Sequence, residues 1–148
     1  MRSPFQTLHH ICIVVRDLDQ AVRYYESIGI GPWQDYPPLA EYTSLDVPDP
    51  EAFRALRYKL VSLDNVQLQL CQPPDADCAQ RRFLDTHGEG VFHLGFENRL
   101  DAAEQEAAAL GLRTMMSGRR DNGTGFIYFD TLDDAAVVLM NRQTSPAP

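Results

Sequence analysis

Two stretches, LHHICIVVRDLDQAVRYYESIGI (residues 8–30) and VFHLGFENRLDAAEQEAAALGL (residues 91–112), superimpose when His10 is laid on His93. In each, a strand-like run meets a polar corner, then a helix-like pattern ends at a glycine, Gly29 or Gly111. Two copies of one supersecondary unit constrain a fold more than any single element does. In the first copy Asp17 followed by Gln20 resembles a capping box, and Leu18, Ala21, Val22, Tyr25 and Ile28 form an apolar stripe at helical spacing. In the second, Asn98 is the expected cap, and Leu100, Ala103, Ala107 and Leu110 form the stripe.

Working outward, strand-like segments separated by turn signals follow each helix: residues 40–47, 57–63 and 66–71, then 113–117, 125–131 and 135–142. Each half therefore reads as βαβββ. The expected organisation is a single domain over residues 1–148, with a first module at 8–72, a connection at 73–89 containing a short helix, and a second module at 90–143. The class is α+β, with a mixed sheet curled around one cleft.

Side-chain alternation along a strand shows which residues share a face. In the first strand Ile11, Ile13 and Val15 suit the face beneath the helix, leaving His10, Cys12 and Val14 opposite. In the second copy Phe92, Leu94 and Phe96 are expected beneath the helix and His93 opposite. The same logic puts Gln67, Gln69, Val138 and Met140 on the histidine face. A cleft lined by His10, Gln69, His93 and Met140 follows. A lone strand histidine is more often structural than a ligand. Two at equivalent repeat positions, with a glutamine on the matching face of a third strand, point to a divalent ion held by His10, Gln69 and His93. Two or three protein ligands with open positions suit catalysis better than structure.

Composition narrows the class further. The chain has 148 residues, is 44% hydrophobic, and carries a formal charge of −8 without a basic run, which argues against nucleic acid as a partner. No apolar segment reaches the roughly 20 residues that span a bilayer. The first residues lack a signal-peptide layout, so a cytoplasmic location is expected. Cys12, Cys71 and Cys78 show no paired spacing and are expected as reduced thiols.

These residues resemble the vicinal oxygen chelate superfamily, which includes glyoxalase I, extradiol dioxygenases, antibiotic-resistance proteins and methylmalonyl-CoA epimerases. The opening stretch, the run FLDTHGEGVFHLGFE and the strand VQLQLCQPP are similar to epimerase-type members, over residues 8–143. The resemblance implies the glyoxalase fold, a homodimer, and a metal ligand from the first and last strand of each module. His10, Gln69 and His93 match three of those positions. The fourth, normally glutamate, falls on Met140, and the second carboxylate of the epimerases aligns near Lys59. A thioether has no proton to exchange and is a poor partner for a hard ion.

Three accounts of Met140 stay open: an ion (Zn, Ni, Co, Mn or Fe) on three protein ligands, loss of the metal, or a thiophilic ion drawn by Cys12, Cys71 and Met140. The expected activity is an isomerase or lyase step on a small carbonyl-containing or enolisable substrate, distinct from standard methylmalonyl-CoA epimerase. No residue is assigned as the base. The competing class is a metal-free cleft protein that sequesters a small molecule or transforms it without metal. Gln67, Tyr128, Met140, Arg142 and Trp33 are the expected substrate contacts, with Trp33 and Tyr36 placed at the cleft mouth. His9 and His87 read as surface or structural residues.

Overall fold

In the computed structural model, which describes residues 2–146, one nine-stranded sheet runs through the molecule. Its strands are β1 (Leu8–Val14), β2 (Gln34–Asp35), β3 (Ser44–Asp46), β4 (Arg57–Ser62), β5 (Gln67–Gln72), β6 (Gly90–Glu97), β7 (Thr114–Arg119), β8 (Gly125–Phe129) and β9 (Val138–Gln143). The spatial order is β2-β4-β5-β1-β6-β9-β8-β7-β3. At the centre β1 and β6 run antiparallel, and each has a parallel neighbour from its own half, β5 and β9. The duplication is therefore a symmetry of the sheet as well as of the sequence. The curled sheet and its helices form the α+β glyoxalase architecture expected above.

Helix α1 (Leu18–Ser27) starts where Asp17 accepts the Gln20 amide at 3.0 Å. Its Leu18 packs with Val15, Trp33, Val61 and Leu70 on one side of the sheet. Helix α4 (Leu100–Ala109) does the same for the second half through Leu100, Ala103, Ala107, Ile127 and Phe129. Asn98 is not its N-cap. Instead Gln143, at the end of β9, accepts the Leu100 amide at 2.9 Å, as Gln72 at the end of β5 accepts the Leu18 amide at 2.9 Å. The last glutamine of each half thus ties helix to sheet, satisfying one of the first-turn N–H groups that lack intrahelical partners. Ile28 falls past the end of α1 and is exposed.

The first half departs from a self-contained βαβββ unit. The strand expected over residues 40–47 is instead a short 3-10 turn at Leu39–Glu41 and then β3, which pairs with β7 at the far edge of the other half. Pro37 and Pro38 lack the N–H that a ladder needs. The chain from β2 to β3 consequently runs from one edge of the sheet to the other. Tyr36 packs on Tyr58 of β4 with centroids 5.0 Å apart, and Tyr42 packs on Phe126 of β8 at 5.0 Å. This strap closes the open side of the curl.

Two shorter helices also escape the sequence pattern, α2 (Pro50–Arg54) and α5 (Leu132–Ala135), while α3 (Ala79–His87) is the expected connecting helix. Asp49 caps α2, and Pro50 occupies its first turn, where no N–H is needed. No described helix is long and apolar enough to cross a membrane.

Candidate functional site

The site begins with two breaks in strand alternation. Between β1 and β6 the register shifts at Leu8/His10 and again at Cys12/Ile13, so His9 and Phe92 are each an extra residue in the ladder. A bulge re-aims side chains and interrupts the two-residue period. His9 consequently turns toward His10, and Phe92 joins the cleft-side core with Cys12, Val14, Phe83 and Met140. That corrects two expectations: Phe92 does not lie beneath α4, and His9 is part of the site. The two bulges sit immediately before the two equivalent histidines, one in each half.

His10 and His93 are buried and meet Nε2 to Nε2 at 2.9 Å, with ring planes nearly perpendicular. His9 Nδ1 lies 2.7 Å from His10 Nδ1, extending the pair into a row of three imidazoles. Gln69 is buried beside them, and its Nε2 donates to Gln67 Oε1 at 2.8 Å, so Gln69 does not spend its own carbonyl oxygen on that bond. Gly95 faces His10 across the ladder, and a Cβ on it would overlap the imidazole. Absence of a side chain at 95 is therefore what gives His10 its room.

Burial, with the Arg142 guanidinium nearby, pulls His93 down to about 3. Burial, then His93, His9 and Arg142, holds His10 well below the ordinary imidazole range, and burial followed by Arg142 lowers His9 against a smaller opposing effect of Glu97. All three rings are neutral at neutral pH, each with one N–H and one lone pair. Burial pushes the phenols of Tyr58 and Tyr128 and the thiol of Cys12 up, so these stay protonated. Cys12 and Cys71 pack in the cleft-side core, and neither lines the cavity that holds His10 and His93.

His10, His93, Gln69, Met140, Tyr128 and Arg142 line one cavity of about 20 Å³, roofed by Tyr36, Leu39 and Tyr42 of the strap. That volume holds about one water-sized group. A wider depression of about 610 Å³ lies outside and shares Tyr36, Leu39 and Tyr58 with the inner cavity. No aspartate or glutamate lines the inner cavity. Lys59 is absent from it, and β4 presents Tyr58 there instead; Lys59 pairs with Asp35 on β2. Trp33, expected at the cleft mouth, is on the other side of the sheet: it packs on Tyr25 at 5.3 Å, and its Nε1 donates to the Ile30 carbonyl at 3.0 Å. Aromatic composition marked that loop but could not say which face each ring takes.

Arg142 is mostly buried, yet it forms no ion pair with a carboxylate among the described residues. Its Nη1 donates to the Tyr36 hydroxyl, its Cζ stands 5.4 Å from the Tyr36 ring centroid, and its Nε has no partner. One hydrogen bond and one cation–π contact recover about 1 to 3 kcal/mol. Withdrawing a guanidinium from water costs several kcal/mol. Burial works against the charge while the Tyr36 and Tyr42 hydroxyls favour it, so the guanidinium stays charged with no carboxylate beside it in the cavity.

The family resemblance implies a divalent ion, and the donors can be tested against it. No cluster of three or more His, Cys, Asp or Glu suited to a metal exists among the described residues, so any such site depends on Gln69. An ion needs both Nε2 lone pairs, which places the His10 proton on Nδ1, where His9 accepts it. The His93 proton then also sits on Nδ1, a buried atom with no protein partner. Two ligands at right angles and about 2.1 Å from an ion stand about 3 Å apart, close to the observed separation of the two Nε2 atoms. The spacing of the two Nε2 atoms is compatible with one divalent ion, and Gln69 lines the same cavity with a carbonyl oxygen that its bond to Gln67 leaves free.

Comparison with known proteins agrees with the architecture. A family model described as Glyoxalase/Bleomycin resistance protein/Dioxygenase superfamily matches residues 9–129. No curated protein matches the chain in sequence. Among solved structures, methylmalonyl-CoA epimerase from Mycobacterium tuberculosis is 24% identical with a TM-score of 0.71, over 100% of this chain and 93% of that one. A Streptomyces coelicolor methylmalonyl-CoA epimerase variant in complex with 2-nitronate-propionyl-CoA is 22% identical at 0.70, over 97% and 99%. A hypothetical protein from Bacillus halodurans C-125 is 14% identical at 0.69, over 96% of each. At these identities the likeness to solved structures is one of fold. The family model, spanning both histidines and most of the sheet, goes further: the chain belongs to the Glyoxalase/Bleomycin resistance protein/Dioxygenase superfamily.

Proposed function

We propose that the chain is an isomerase or lyase that acts on a small carbonyl-containing or enolisable substrate in the cleft beneath the strap. The single observation that carries this reading is the contact of two neutral, buried imidazoles beside Gln69 in a small cavity. His10, His93 and the Gln69 oxygen would hold the divalent ion, which when bound supplies Lewis-acid polarisation of a substrate oxygen. The strap excludes water, which strengthens every electrostatic contact inside. Tyr128, kept protonated by burial, offers a hydrogen bond to developing oxyanion character. Arg142, which lines the same cavity, orients the substrate.

The solved neighbours include epimerases of methylmalonyl-CoA, and the present reading separates this chain from their reaction. Proton exchange on both faces of a substrate carbon calls for two groups that trade protons. Met140 trades none, and Lys59 lies outside the cavity. A homodimer follows from the family resemblance, supported by the exposed apolar side chains Tyr24, Ile28 and Val91.

A second reading has its own observation. The His10–His93 contact is already a hydrogen bond that a metal would have to replace. In that reading the cleft binds a small molecule, or transforms it, without an ion.

Deuterium wash-in from D₂O, followed by proton NMR, tests the proposal on a panel of small ketones, 2-oxoacids and methylmalonyl-CoA. The expected result is accelerated exchange of at least one small carbonyl compound, little at methylmalonyl-CoA, and loss of the acceleration in His93→Gln. Exchange at the buffer rate for every compound would sink the enzymatic reading and leave sequestration.

A further inference from the structure

We infer that the cleft is built for a small carboxylate, and that Arg142 receives its charge. This rests on the reading of the histidine cavity as the binding site and names the substrate class within it. Five arginines form no ion pair with a carboxylate among the described residues: Arg16, Arg23, Arg54, Arg99 and Arg142. Four of them are exposed, where water serves as the partner; Arg142 is not. Its Nε is buried without an acceptor, and it shares its cavity with no aspartate or glutamate. Buried charges are ordinarily paired. The missing acceptor is supplied by what binds.

The surroundings of Arg142 are donors too. Arg142 donates to the Tyr36 hydroxyl and Arg120 Nη2 donates to the Tyr42 hydroxyl at 3.0 Å, while the two hydroxyls lie 3.1 Å apart. The two phenols together have two O–H protons, and their mutual bond uses one. The other is free to point at a ligand oxygen. A planar guanidinium flanked by a spare O–H matches a carboxylate in shape, two oxygens in one plane. The Gln69 amide and the imidazole pair line the same cavity and suit a carbonyl oxygen. The inner cavity holds only about one water-sized group, so the ligand reaches these donors from the wider depression that shares Tyr36, Leu39 and Tyr58, and a short molecule whose carbonyl lies within a carbon or two of its carboxylate, as in 2-oxoacids, matches both donor sets.

Isothermal titration calorimetry on the full chain, with pyruvate, its neutral methyl ester and inorganic phosphate as probes, tests this. Arg142→Gln and Arg142→Lys are compared with Arg99→Gln, an exposed control. Pyruvate is expected to bind about tenfold or more tightly than methyl pyruvate; Arg142→Gln removes that preference, Arg142→Lys, which keeps the charge without the planar fork, retains only part of it, and Arg99→Gln leaves it unchanged. Equal affinity for acid and ester in the wild type overturns the inference without recourse to any variant. So does an unchanged preference in Arg142→Gln, tighter binding of phosphate than of pyruvate, or no heat from any probe up to about 10 mM. Failures of the two ideas separate cleanly. Acid-selective binding with no deuterium exchange on the whole panel keeps the carboxylate site and discards the enzyme; exchange at neutral ketones with no preference for acids does the reverse.

Discussion

Gly95 and His10 face each other across the β1–β6 ladder, and the ring of one occupies the space a side chain on the other would fill. The glycine in VFHLGF is thus a condition for the imidazole row, set by packing between strands from different halves of the chain. Gly95→Ala is expected to displace His10 from His93 and to destabilise the fold by about 1 to 3 kcal/mol, the usual cost of overpacking. Urea unfolding measures the stability loss. A variant as stable as the wild type, with its histidine proton shifts unchanged, would contradict the arrangement.

Acid should weaken the fold through the same histidines. Folded His93 titrates near 3 and His10 is also depressed, whereas an unfolded histidine titrates near 6.5. Between those values the unfolded chain binds more protons, so stability is complete above the unfolded value and is lost as pH falls. Each depressed histidine contributes a slope of about 1.4 kcal/mol per pH unit in that window. Urea midpoints of metal-free protein at about pH 7 and about pH 5 should diverge, and His93→Gln should flatten the slope by about one histidine's share. An identical slope in the variant would show that His93 charges freely in the folded state.

The caps supplied across the fold offer an independent check. Gln143→Ala removes the acceptor of the Leu100 amide, and Gln72→Ala that of the Leu18 amide. Each is expected to cost about 1 kcal/mol, the value of a lost cap, with a drop in melting temperature of similar size for both. A loss at one glutamine and none at the other would break the internal symmetry.

Met140 holds the position where the resemblance implies a glutamate. Met140→Glu adds a charged oxygen donor in a buried place, which is costly without an ion and favourable with one. The variant should be less stable than the wild type in the presence of chelator and should bind cobalt about tenfold or more tightly. Unchanged cobalt affinity would mean that Met140 does not stand at the fourth ligand position.

Much of this was legible in the chain itself. The repeat predicted the twin βα units, and the alternation in VQLQL and VVLMN put Gln69 and Met140 on the histidines' face, where the structure has them. Alternation failed where it is physically interrupted. A bulge leaves no mark in residue type, so Phe92 was expected on the wrong face and His9 was read as peripheral. The strap was equally hidden, because β3 pairs with a strand some seventy residues later, and only its prolines warned that the local ladder would fail. Tyr42 reaches the cavity through that long-range pairing and Tyr58 from the β4–β5 hairpin, and neither carries a local motif. Trp33 shows the opposite error, a ring credited with function because its loop was unusual.

Cobalt(II) titration of the purified chain, read by visible absorbance together with metal analysis, tests the central claim most directly. The account predicts about one ion per chain, a d–d band in the protein complex, and loss of both in His10→Ala and His93→Ala. Binding that survives both substitutions, or no bound cobalt in the wild type, would contradict it.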